Sequence, residues 1–174
     1  MAAETKDKAM PNPFQIETQE RRNWCWAAVS NTVAHYFFKN SDLTQTQIAE
    51  QTTGKPSLSD PDGFPAPLEV ALAKTNGLLK GALKPVPIFG RFLTFEAIRS
   101  QIDGGSPVCV RIQWKEENTG HFVMISGYSV STSGEQWVDV ADPYYEDSTV
   151  PYDQFVTAYL NAGEWSDTYL VDHS

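Results

Sequence analysis

Cysteine is scarce: Cys25 and Cys109 are the only two in 174 residues, too few for a disulfide framework. Two unpaired thiols in a chain of this size point to a reducing compartment or to chemistry at sulfur. The spacings CxxC and HExxH are absent, which speaks against a dedicated zinc site, and neither a metal nor a cofactor is expected. Positive charge is also scarce. Thirteen Lys and Arg against 22 Asp and Glu leave a net charge of -9 and a pI near 4.7. That balance disfavours a nucleic-acid backbone or an anionic membrane as partner. A taste for basic or neutral substrates is compatible with it, and so is solubility alone. No apolar run reaches the roughly 18 residues of a membrane span. Residues 1–12 carry Glu4, Lys6, Asp7 and Lys8 but no apolar core, so they do not read as a secretory signal. Residence in the cytoplasm, or export by a specialised secretion system, is the resulting expectation.

What remains is a chain that is 41% hydrophobic and 12% aromatic, enough to bury one core. Repeats and low-complexity tracts are not found. Residues 1–14, polar and broken by Pro11 and Pro13, read as a flexible leader, and 15–174 as one domain and a monomer. The periodicity then changes once along the chain. Apolar residues at helical spacing (Ala28, Val29, Val33, Ala34, Phe37) predict a helix over 24–38. A second is predicted after Ser41 or Asp42 as N-cap, a third over 67–75 ahead of Gly77, and a fourth from Thr94 to Gly104. From Val108 the pattern alternates, predicting strands over 108–114, 122–130, 137–141 and 168–171, with a short helix over 152–160 capped by Asp153. Helices first (about 20–105) and antiparallel strands after (about 106–174) make an α+β fold. Residues 52–93, with GKPSLSDPDGFPAP and LKPVPIFG, are expected to form loops that line a cleft.

Cys25 falls at the first turn of the first helix, within Asn23-Trp24-Cys25-Trp26-Ala27. Free N–H groups and the helix dipole at such a tip stabilise a thiolate, so this is where a nucleophilic sulfur belongs. The alternative is an ordinary buried thiol. Cys109, inside an apolar strand, is read as core. A thiolate nucleophile needs a base, and three histidines compete. His35 lies ten residues along the same helix, about 15 Å away at 1.5 Å per residue. His173 sits at the C-terminal end. His121 follows Gly120 and opens the strand His121-Phe122-Val123-Met124-Ile125, at the edge of a cleft. A third group usually orients the base, and Asn118, Asp139, Asp142 and Asp147 are candidates. A hairpin about residues 133–134 would set His121 opposite about residue 146, which favours Asp142, the acid before Pro143; a simple turn acid is the alternative. Oxyanion donors would be the N–H of Cys25 and the side chain of Gln19, although a glutamine in a polar loop is commonly just solvated. Trp24, Trp26 and Gly120 are taken as substrate contacts, with burial of the tryptophans in the core as the alternative.

The segment QERRNWCWAAVS (19–30), then GHFVMISGY about 95 residues beyond Cys25, then DPYY, resembles papain-like cysteine peptidases. It is most similar to the bacterial branch that includes peptidase domains of toxin-processing transporters and effector proteases of plant pathogens. The likeness spans about residues 15–160. It implies a papain-like fold and peptide hydrolysis through a Cys25–His121–Asp142 triad, with Gln19 completing the oxyanion hole and a protein or peptide as substrate. A bacterial effector or a processing protease would fit. Two other expectations stay open: an amidase, transglutaminase or deamidase using the same triad, and a non-catalytic peptide-binding module on the same scaffold.

Overall fold

The computed structural model describes residues 5–9 and 14–173. Its elements run β1 (Thr5–Ala9), α1 (Cys25–Phe37), α2 (Gln45–Thr53), a 3₁₀ turn (Ser57–Ser59), α3 (Leu68–Leu78), β2 (Leu83–Ile88), α4 (Phe95–Asp103), β3 (Val108–Trp114), β4 (Gly120–Ser131), β5 (Gln136–Ala141), β6 (Ser148–Pro151), α5 (Tyr152–Ala158) and β7 (Gly163–His173). The strands form one antiparallel sheet in the order β2-β7-β3-β4-β5-β6, with β1 paired to β4. Helices precede most of the sheet, and the fold is α+β as the change in periodicity implied.

The sheet separates two apolar layers. On one face Cys109, Phe122, Met124, Tyr169 and Val171 meet α1, α2 and α3 through Trp26, Val29, Val33, Ile48, Leu68 and Leu72. On the other, Val110, Ile112, Val123, Ile125 and Val140 meet α4 and α5 through Phe95, Ile98, Ile102, Phe155 and Tyr159. This is the period-two alternation of β3 and β4 expressed as two cores, since successive side chains of a strand leave on opposite faces. Helix α1 is buried along nearly its whole length. Each fully buried valine on it contributes about 1.5–3 kcal/mol, so its tip is fixed by packing on three sides.

Several boundaries differ from expectation for local reasons. Helix α2 starts later, because Thr44 and Gln47 form a reciprocal capping box that Ser41 and Asp42 cannot match. Helix α3 runs through Gly77 to Leu78, tertiary contact overriding the weak propensity of a glycine. Asp153 lies in the first turn of α5 but does not cap it; Pro151 holds the N-cap position. Strand β7 begins at Gly163, five residues ahead of the alternating stretch.

Three strands escaped the pattern altogether. Strand β1 covers residues 5–9, inside the expected leader, and pairs with Gly127–Ser131 of β4; the rest of that leader up to residue 13 lies outside the described residues. Strand β2 takes LKPVPI, where cleft loops were expected, and pairs with β7. Its prolines hid it. The N–H of Leu83 goes to the Asn76 side chain, so positions of that parity turn off the sheet, and Pro85 and Pro87 forfeit no ladder bond on this edge strand. Strand β6 is only four residues long.

Candidate active site

Cys25 is the first residue of α1 and is 8% exposed. No side chain caps that helix, which leaves first-turn N–H groups available at the sulfur end. The approach to the tip is pinned from outside. The Asn23 backbone N–H goes to Asp62 O, its side-chain amide donates to Gly63 O, and the Trp24 N–H goes to Arg21 O. Asn23 thus shapes the entry turn.

His121 is the second residue of β4. Its predecessor Gly120 lets the Arg111 guanidinium lie close: a Cβ there would come within 2.6 Å of it, and the arginine would have to shift. The imidazole Nε2 bonds Asp142 Oδ1 at 2.8 Å, and the ring lies beside Cys25 in the cleft, near enough for the sulfur to favour the protonated imidazole. With Nε2 taken by the carboxylate, Nδ1 is the nitrogen left for the sulfur. Asp142 follows β5 directly, and its carboxylate is fully buried. Oδ1 also accepts the N–H groups of Tyr144 and Tyr145, both at 2.9 Å, and Oδ2 accepts the Tyr159 hydroxyl at 2.7 Å.

These contacts decide protonation. Burial alone would lower the His121 pKa, but the hydrogen bonds and charges of Asp142 and Cys25 outweigh it and raise the value to about 9. Burial alone would raise the Asp142 pKa, and the bond to His121 with the donors around it holds it below the ordinary carboxylate range. At neutral pH the arrangement is therefore an imidazolium between a carboxylate and a sulfur. Burial and the Asp142 charge push Tyr159 above its ordinary value, so its hydroxyl stays a donor.

Aromatic rings enclose this pair. Trp114 lies nearly parallel to the imidazole, with centroids 5.8 Å apart and planes at 16°, and Tyr145 meets it edge-on at 5.7 Å. Such rings keep water off the His121–Asp142 bond, which strengthens it. Trp114, Tyr145 and Tyr159 did not stand out in the sequence. Register could have flagged Trp114, because Ile112 pairs with His121 on the adjacent strand and Trp114 lies two residues beyond.

Cys25 and His121 open onto a cleft of about 710 Å³ also lined by Gln19, Trp26, Gly120 and Asn118. From the 52–67 stretch Asp62, Pro65 and Ala66 join the lining. Trp24 does not wall the cleft. It is absent from the cleft lining and packs against Gly63 and under the Arg21 guanidinium, 4.9 Å from the ring centroid. Residues two apart at a helix start point in nearly opposite directions, so only one of the tryptophans can face the cleft. Trp26 borders it, although the ring is 1% exposed and belongs to the core, with its indole N–H tied to Phe64 O. Gln19 reaches the cleft, but its amide N–H groups go to Arg21 O and Arg22 O, and its carbonyl oxygen is buried without a partner among the described residues.

The rejected candidates are engaged elsewhere. His35 pairs with Glu17 at 2.9 Å, and His173 packs on Phe37. Asp139 accepts from Thr149, and Asp147 accepts the Asp142 N–H. Cys109 is 0% exposed, and burial pushes its thiol up to about 12. Among the described residues no group of three or more His, Cys, Asp or Glu is placed to hold a metal ion, and no helix is long and apolar enough to cross a membrane.

Comparison with known proteins points the same way. Residues 10–167 match the Peptidase_C39 like family. Among solved structures, a protein from Bacillus anthracis described as a C39-like peptidase is similar at 15% identity and a TM-score of 0.59, covering 97% of this chain and all of its own. A double glycine motif protease from an AMS/PCAT transporter, solved in complex with the leader peptide, is similar at 16% identity and a TM-score of 0.58, covering 97% of this chain and 99% of its own. No curated protein matches the chain.

Proposed function

The chain belongs to the peptidase C39-like family, and we propose that it is a cysteine endopeptidase that cleaves peptide bonds through a thioester on Cys25. The observation that carries this reading is the imidazole of His121, held by Asp142 on one nitrogen and sharing one cleft with Cys25 at the helix tip. In this scheme the Cys25 thiolate attacks the substrate carbonyl. His121 gives its proton to the departing amine, then takes one from the water that hydrolyses the thioester. Asp142 keeps the ring in the orientation that presents Nδ1 to sulfur and stabilises the imidazolium. The N–H of Cys25 is the first oxyanion donor. Gln19 becomes the second once its amide turns from the carbonyls of Arg21 and Arg22 toward the cleft, and each donor is worth roughly 3–4 kcal/mol in the transition state.

A peptide substrate is supported by the leader peptide bound to the transporter protease of similar fold. We place Trp26 and Gly120 along the substrate path and take the chain to act as a monomeric processing protease or effector. The test is incubation with unfolded protein and with short peptides, followed by mass spectrometry. New termini from wild-type protein, absent with Cys25→Ala, support the reading. Ammonia release without chain cleavage would replace it with a deamidase or transglutaminase using the same three residues.

A further inference from the structure

The Asp142 carboxylate is wholly buried, and its two oxygens are served unequally. Oδ1 takes His121 and two backbone N–H groups, whereas among the described residues Oδ2 takes the Tyr159 hydroxyl alone. Donors on Oδ1 leave the carboxylate free to pivot about them, and a donor on Oδ2 fixes its plane. Tyr159 is well built to do so. It is 1% exposed, and its backbone is closed on Gly163 in both directions, at 2.7 and 3.0 Å. Its ring meets Phe155 edge-on at 5.3 Å and lies parallel to Trp114, at 15°. Trp114 in turn lies parallel to His121. Tyr159 is not among the residues lining the cleft.

Resting on the triad proposed for this site, we infer that Tyr159 is its positioning residue: the hydroxyl fixes Asp142, and through Asp142 the imidazole that faces Cys25. Without the hydroxyl, Oδ2 is a buried anionic oxygen with no donor, and the neutral acid gains at the expense of the carboxylate. The Asp142 titration then moves to higher pH, and the imidazolium loses its partner sooner as pH falls.

The test is a double-mutant cycle of Tyr159→Phe and Asp142→Asn, read as the rate of Cys25 alkylation by iodoacetamide between pH 2 and 10. Tyr159→Phe alone should slow alkylation at pH 7 roughly tenfold, the worth of a hydrogen bond to a charged group, and should move the acid limb up. In the Asp142→Asn background it should change the rate less than about twofold, because it acts through the group already altered. The same fold-loss in both backgrounds, or a Tyr159→Phe profile that overlays wild type, overturns the inference. If Tyr159→Phe lowers Tm so far that the protein is unfolded, difluorotyrosine at position 159 keeps the ring and makes a stronger donor. The acid limb should then move down, and an unmoved limb overturns the inference. Alkylation needs no substrate, so a failed peptidase assignment would show separately, as wild-type protein that is labelled at Cys25 yet cuts no peptide.

Discussion

The tip of α1 and the start of β3 each carry one of the two cysteines, and both sulfurs are buried. Cys109 lies among apolar side chains of the sheet face beneath the helices, fully enclosed, with its thiol pushed up to about 12 by burial. Cys25 is only slightly more exposed, at 8%, yet it has a helix N-terminus behind it, the imidazolium of His121 in front and a cleft beside it. Exposure does not distinguish the two sulfurs; the charges and dipoles around them do.

Replacing each sulfur in turn should separate the two sites most widely. Cys25→Ala should lower peptide hydrolysis at least about 10⁴-fold with the fold intact. Cys109→Ala should leave the rate nearly unchanged and cost about 1–2 kcal/mol of stability from the cavity; rate assays and thermal melts tell the two apart. Next come the groups that set Cys25 apart. His121→Ala should cost about 10³-fold or more, and Asp142→Asn a smaller 10- to 100-fold or so. The reverse ranking would contradict the roles of base and orienting acid.

A pH profile adds a finer distinction. Because His121 is raised to about 9, kcat/KM should hold through neutral pH and fall as pH rises through about 9, when the imidazolium loses its proton. Stability follows the same sign. The His121 contribution is fully present below its ordinary value of about 6.5 and is lost as pH rises through about 9. Asp142 is held below the ordinary carboxylate range, so its contribution is present above that range and lost as pH falls through the depressed value. A profile whose alkaline limb sits near 6.5 would mean the pair is not formed. The smallest expected difference separates the tryptophans. Trp26→Phe should change KM, and Trp24→Phe should lower Tm with KM unmoved, since of these two only Trp26 borders the cleft.

Much of this was legible in the chain itself. The switch from helical to alternating spacing at Val108 marks where the sheet begins in earnest, and a cysteine at a helix start, a histidine at a strand start and an acid before proline sit together in the fold. The missing parts share a cause: their signal is tertiary. Strand β2 reads as loop because its prolines are harmless only on an edge. Trp24 and Trp26 look equivalent in sequence and separate only through helix geometry. Gln19 occupies the expected place, but its neighbours' carbonyls claim its amide. Tyr159 joins the site through a loop closed on Gly163, 17 residues from Asp142 along the chain.

Labelling the native protein with iodoacetamide at pH 7, followed by peptide mapping, reads the difference between the two sulfurs without any substrate. The predicted result is rapid modification of Cys25, none of Cys109 until the chain is unfolded, and slowing of Cys25 by His121→Ala. Equal rates at the two sulfurs, or a Cys25 rate indifferent to His121, would contradict an activated thiolate at the tip of α1.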